Sequence, residues 1–273
     1  MRKAFAIALA LFMATSAGAQ QSVVQQGQSA VLNWTGDYIE AVGQAVPPTG
    51  KEGTGQGKLL ARRGAVVDLQ RNLLEFIKGV QITSETTMEN FMADDRVMTS
   101  VTGFIKNVAI TDSEWDGEIY TLSGRIYLKD IRQATLPSIQ QQVKKEKDEK
   151  KVPAPQPKPP TRSQNTGLVL DCRDLPLIPS ITFRVVSVSG KEVYSFDQVD
   201  MEHFLASGLA DYHSNIGWAK DQPRVATTPL TVKPLKVESP KNVDIVVSDS
   251  DAAKIAALPD DVVKKCRVSI VKR

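Results

Sequence analysis

The chain has 273 residues, 41% of them hydrophobic and 24% charged, with 34 lysines and arginines against 31 aspartates and glutamates for a formal net charge of +3. That near-balance supplies no electrostatic footprint for nucleic acid. Two cysteines and two histidines leave little from which to build a zinc finger or a histidine-dependent hydrolase.

The N-terminus places Arg2 and Lys3 before an apolar run from Ala4 to Ala14, followed by Ser16, Ala17, Gly18 and Ala19. This pattern predicts a secretory signal peptide over residues 1–19, cleaved between Ala19 and Gln20. The run is well short of the roughly 20 residues that a membrane span needs. Gln20 and Gln21 follow in place of a cysteine, so the expected mature N-terminus has no thiol for lipid attachment. Without Arg2 and Lys3 the balance becomes 32 against 31, a net charge of +1. The expected location is periplasmic or outer-membrane associated, with no transmembrane helix.

A strand is expected from Tyr38 to Ala45, ended by Pro47 and Pro48. After a glycine-rich loop, the stretch from Lys58 to Gly79 predicts a long helix, with Leu59, Val66, Leu69, Leu73, Phe76 and Ile77 on its buried stripe. Three segments then carry strand character: Val80–Met88, Val101–Trp115 and Gly117–Ile131. In the last, Tyr120, Leu122, Gly124, Ile126 and Leu128 form the more apolar alternate set, and Asp116-Gly117 marks a hairpin turn. Residues 33–135 thus predict a first α+β domain.

From Lys144 to Gln164 a mixed-charge run gives way to Pro153, Pro155, Pro157, Pro159 and Pro160, a composition that predicts a solvated linker over residues 144–164. Residues 165–273 predict a second small α+β domain. Its expected elements are a strand at 166–171, a hairpin around Ser189-Gly190, a helix from Met201 to Tyr212, strands at 229–238 and 242–248, a helix capped by Ser248 or Asp249, and a closing strand from Cys266. Both sheets are expected to be mostly antiparallel.

Cys172 and Cys266 are the only possible pair in an exported chain, so a disulfide joining the ends of the second domain is expected, the alternative being two unpaired buried thiols. His203 and His213, ten residues apart, do not present a zinc-binding face. The acidic stretch Asp112, Glu114, Asp116, Gly117 opens like a calcium loop, but Ser123 stands where the closing glutamate belongs. The glycine loop before Lys58 departs from a phosphate loop at Glu52 and Leu59. No catalytic, cofactor-binding or metal-binding residue is therefore assigned. Nothing singles out a catalytic carboxylate pair; a hydrolase using carboxylates such as Asp249 and Asp251 is the third reading.

The segments Trp34–Pro48, Ala61–Thr87 and Val101–Leu128 together resemble the domain of the LPP-twenty outer-membrane lipoproteins, shared with flagellar assembly proteins P and T. The second part is similar to a companion domain of uncharacterised exported bacterial proteins. Those relatives carry a small residue where Cys172 stands, which favours a staple special to this chain. The resemblance implies a non-enzymatic cell-envelope protein, an assembly or docking module with an envelope partner or with itself, possible peripheral contact with the outer membrane, and in some members a flagellar role. The alternative is a binding module for a glycan or other small envelope ligand, using the glycine loop, Tyr212 and Trp218.

Overall fold

The computed structural model describes residues 22–150, 163–238 and 241–273. The expected cleavage site at Ala19 and Gln20 and the proline-rich segment from 151 lie outside them.

The first lobe holds β1 (Val24–Gln26), β2 (Ala30–Asn33), β3 (Tyr38–Ala45), α1 (Gly55–Lys78), α2 (Met88–Phe91), α3 (Asp95–Lys106), β4 (Ala109–Trp115), β5 (Tyr120–Tyr127) and α4 (Leu128–Lys150). Its five strands form one antiparallel sheet in the order β1-β2-β3-β5-β4. Thr54 caps α1, its hydroxyl accepting the Gly57 N–H at 2.9 Å. The buried stripe of α1 is Gly57, Ala61, Ala65, Leu69, Leu73 and Ile77, one residue every four. Leu59, expected on that stripe, is 64% exposed.

Small residues occupy the early stripe because the helix lies directly on the sheet. A Cβ on Gly43 of β3 would fall 2.3 Å from both the Ala65 carbonyl oxygen and the Leu69 nitrogen. The side chain of Asn72 donates to the Val42 carbonyl at 2.7 Å, and the Gln44 N–H donates to Asp68 at 3.0 Å, fixing helix to strand. On β5, Tyr120, Leu122, Gly124 and Ile126 face this core, as their alternation predicts.

Two strand expectations are overturned here. Val101–Lys106 belongs to α3, because Asp94 caps that helix and Val97, Val101 and Ile105 recur at a spacing of four. Val80–Met88 forms no strand: it bends at 83–85, has only an isolated bridge between Gln81 and Thr87, and ends where Met88 opens α2. The charged run expected to open the linker instead continues α4 to Lys150. Lysine and glutamate are good helix formers, and the run from Lys144 to Lys150 holds no glycine or proline.

The second lobe contains β6 (Leu168–Asp171), β7 (Val185–Ser187), β8 (Glu192–Tyr194), α5 (Met201–Ser207), β9 (Asp211–His213), α6 (Ile216–Asp221), β10 (Leu230–Val232), β11 (Lys236–Val237), β12 (Ile245–Val247), α7 (Asp249–Ala256), α8 (Asp260–Lys264) and β13 (Val268–Val271). The mixed helix-and-sheet class holds, and the strand orientation differs from expectation. One sheet, β10-β6-β13-β9, is parallel throughout. In the other, β11-β12-β7-β8, the central pair β12 and β7 is parallel. The reason is burial on both faces: every residue of β13 and the first three of β6 are buried, as parallel strands require. Gly208, at φ 71°, ends α5 early, so Tyr212 and His213 lie on β9 and not on the helix expected there.

The lobes pack against each other along a seam. The Trp34 and Tyr212 rings lie 5.4 Å apart, and Thr35 donates its hydroxyl to the Tyr212 carbonyl at 2.7 Å. The backbone N–H groups of Ile181 and Thr182 donate to the carbonyls of Gln81 and Ile82 at 3.1 and 2.8 Å. One continuous hydrophobic cluster runs through both halves.

Candidate functional site: an exposed sheet edge

The first-lobe sheet ends at β4. Its inner side pairs with β5, with a register shift between Ile110 and Asp112. Among the described residues its outer side faces no other strand. Residues 109–114 are exposed and Trp115 is half-buried against Tyr120, their rings 6.0 Å apart. α1 covers only the face carrying Ile39, Ala41, Leu122 and Ile126. The opposite face carries Tyr38, Glu40, Ser123 and Arg125 in cross-strand register. There the Arg125 guanidinium stacks 3.8 Å from the Tyr38 ring centroid and meets Glu40 at 3.3 Å.

The register places Asp112 beside Ser123 and Glu114 beside Thr121, both on this open face. Asp112 also accepts the Ser113 N–H at 2.8 Å, which fixes the bulge. At the hairpin tip, Asp116 accepts from Ile119 N–H at 2.7 Å and from Glu118 N–H at 2.8 Å, and these bonds hold its carboxyl below the usual range. No lysine or arginine occurs between Asn107 and Gly124. From Asp112 to Glu118 the edge and its hairpin therefore carry only negative charge, while Ala109 at the start of β4 lies beside Arg125. Among the described residues, no group of three or more histidine, cysteine, aspartate or glutamate side chains could hold a metal ion.

The other residues singled out from sequence are placed as follows. Cys172 and Cys266 are both buried and unpaired, which overturns the expected disulfide. The cause is the parallel register. Cys172 follows β6 at one end of the ladder, its N–H bonded to Val271, while Cys266 precedes β13 at the other, where Arg267 accepts from Leu168. About four residues at roughly 3.3 Å each separate those ends, on the order of 13 Å, beyond the ~7 Å that a disulfide spans between Cα atoms. Burial pushes the Cys172 thiol up to about 12 and raises that of Cys266 as well, so neither is a ready nucleophile.

Tyr212 is buried, its hydroxyl 3.3 Å from both the N–H and the carbonyl of Ser180, so it is no ligand contact. Trp218 is 49% exposed and lines a shallow hollow of about 320 Å³ with Asn215, Gly217, Asp221 and Gln222. The glycine loop folds back on the start of α1, and Lys58 lies 6.0 Å from the Trp115 ring. Asp249 holds Ser189, accepting its hydroxyl at 2.6 Å, and Asp251 binds Lys254 at 2.8 Å and Ser248. These hydrogen bonds lower both carboxyls, the opposite of what a general acid needs.

Two polar arrangements escaped sequence reasoning. Arg224 donates to the carbonyls of Cys266, Ser207 and Gly208 at 2.6, 2.7 and 2.6 Å, tying α5 to β13. Beneath α6, Asp211 lies 3.1 Å from His213 and is level with Ser269 across the β9–β13 register. Burial works against the Asp211 charge, yet His213, Arg224 and Ser269 together hold its carboxyl below the usual range. The three residue types match a hydrolase triad, but the geometry does not. His213 addresses the aspartate, while Ser269, level with that aspartate in the register, is wholly buried, whereas a nucleophilic serine must meet histidine and substrate.

The second lobe resembles an uncharacterised bacterial domain family. The family is described as Treponema pallidum Tp0624, second domain, and its profile matches residues 167–273. No curated protein matches the chain. Among the described residues no helix is long and apolar enough to cross a membrane.

Proposed function

We propose that the protein is a non-enzymatic exported envelope protein, a docking module that engages a protein partner through the outer edge of β4. The observation carrying this reading is the unshared edge of β4, exposed from Ala109 to Glu114, at the side of a sheet that α1 covers on one face. Such an edge offers a row of backbone donors and acceptors to an added strand. The leader-like residues 1–19 support export, and the likeness of the first lobe to the LPP-twenty domain supports an envelope role that includes flagellar or outer-membrane structures. The packed seam between the lobes gives the edge a rigid mount.

Sedimentation of the mature protein, alone and with envelope extract, tests the reading. A complex that is lost when Asp112 and Glu114 are both replaced by lysine agrees with it. A strict monomer that retains no partner contradicts it.

A second reading, a small-ligand module, is favoured by the half-exposed Trp218 in its hollow with Asn215, Asp221 and Gln222. An indole face flanked by polar groups suits a sugar ring. Titration with glycan fragments should change tryptophan fluorescence in the native protein and not in Trp218→Ala. No response across such a panel removes this reading.

A further inference from the structure

The β4 edge carries enough chemistry to say what kind of strand it takes. Asp112 and Glu114 are two residues apart on the open face, about 7 Å from one another. On the opposite side of the pleat, Ile110 is 41% exposed and Trp115 half-buried, next to the α1 face of the sheet. Asp116 and Glu118 continue the negative charge into the hairpin. An antiparallel second copy of β4 would bring the two acidic rows against each other, which is destabilising for directly opposed pairs. A strand with cations on one face and apolar side chains on the other satisfies both sides at once.

Resting on the docking reading above, we propose that β4 accepts, by strand addition, an extended partner segment whose alternate residues are lysine or arginine, the residues between them being apolar. The cations lie over Asp112 and Glu114 on the open face, and the apolar residues lie beside Ile110 and Trp115. Backbone pairing along β4 supplies affinity, and the carboxylates fix register and exclude acidic strands and a second copy of the chain.

The test uses the mature full-length chain and two synthetic seven-residue peptides, one alternating lysine and valine and the other alternating glutamate and valine, followed by calorimetry and by amide shifts in NMR spectra. The lysine peptide is expected to bind, with shifts confined to residues 109–115, and the glutamate peptide is not. Asp112→Asn with Glu114→Gln should weaken lysine-peptide binding about tenfold, as should raising the salt from about 0.05 to 0.5 M. Equal binding of both peptides, shifts centred on Trp218, or no loss in the double variant overturns the proposal. Dimerisation that strengthens in the double variant also overturns it, because the edge would then prefer its own copy. If the native partner still needs the β4 edge while its bound segment is acidic or uncharged, this inference fails and the docking reading stands.

Discussion

Arg132 on α4 grips Asp37 at the β2–β3 turn with both arms, at 2.7 and 2.8 Å, while its Nε and Nη2 also donate to the Leu205 and Ala206 carbonyls of the other lobe at 3.0 and 3.3 Å. Asp37 sits at φ 59°, a strained conformation that the ion pair helps to hold. The Arg132 side chain is 3% exposed and that of Asp37 40%, so the pair is wet at one end and dry at the other.

Arg132→Ala should therefore cost about 2–3 kcal/mol, below the range for a fully buried pair because Asp37 regains water while two carbonyls lose their donor. Arg132→Lys should recover little, since a point charge cannot make the fork. Urea unfolding of the three proteins measures both effects.

The lobes should unfold together. A continuous core and hydrogen bonds across the seam from Thr35, Arg132, Ile181 and Thr182 predict one cooperative transition seen alike by tryptophan fluorescence and far-ultraviolet dichroism. Two separated transitions would show that the seam contributes little.

Gly43→Ala should destabilise by about 3 kcal/mol, because the new methyl meets the α1 backbone and no flexible side chain can yield. Gly117→Ala meets no atom within 4 Å, and only its φ of 108° penalises a side chain, so about 1–2 kcal/mol is expected. Thermal denaturation should rank the two in that order.

Reducing agent should leave the unfolding midpoint unchanged, and both thiols should react with a thiol reagent in denaturant but only slowly in the native protein. Loss of two mass units in non-reduced native protein, with both thiols blocked, would restore the disulfide.

Stability should fall at alkaline pH. Cys172 is pushed up to about 12 in the fold, against about 8.5 for a free thiol. The folded state keeps its proton while the unfolded state loses it. The thiol's contribution is thus complete below about pH 8.5 and declines by up to about 1.4 kcal/mol per pH unit towards pH 12. Cys172→Ala should flatten that part of the profile.

Local patterns carried much of the first lobe. The strand Tyr38–Ala45, the long helix ending at Gly79 and the alternation of β5 follow directly from spacing and punctuation. The stripe of α1 was misplaced at its start because Ala61 and Ala65 look neutral in sequence, and only the bare Gly43 opposite them reveals close approach. α3 was hidden by β-branched valines, although Asp94 and the spacing of Val97, Val101 and Ile105 were present as signals.

In the second lobe, the uninterrupted apolar runs at Leu168 and Val268 pointed to parallel strands, but the pairing of β6 with β13 that keeps the two cysteines apart is a matter of strand order. Arg132 and Arg224 could not be assigned, because their partners are backbone carbonyls far away in sequence. The acidic edge was visible as composition. Its exposure depends on strand order, which no local pattern encodes.

Amide hydrogen exchange of the mature protein, free and bound to its partner isolated from the native envelope, tests the docking edge most directly. The account predicts that binding slows exchange in Ala109–Trp115 and leaves the amides around Trp218 unchanged. A bound complex in which β4 exchanges as fast as in the free protein would contradict it.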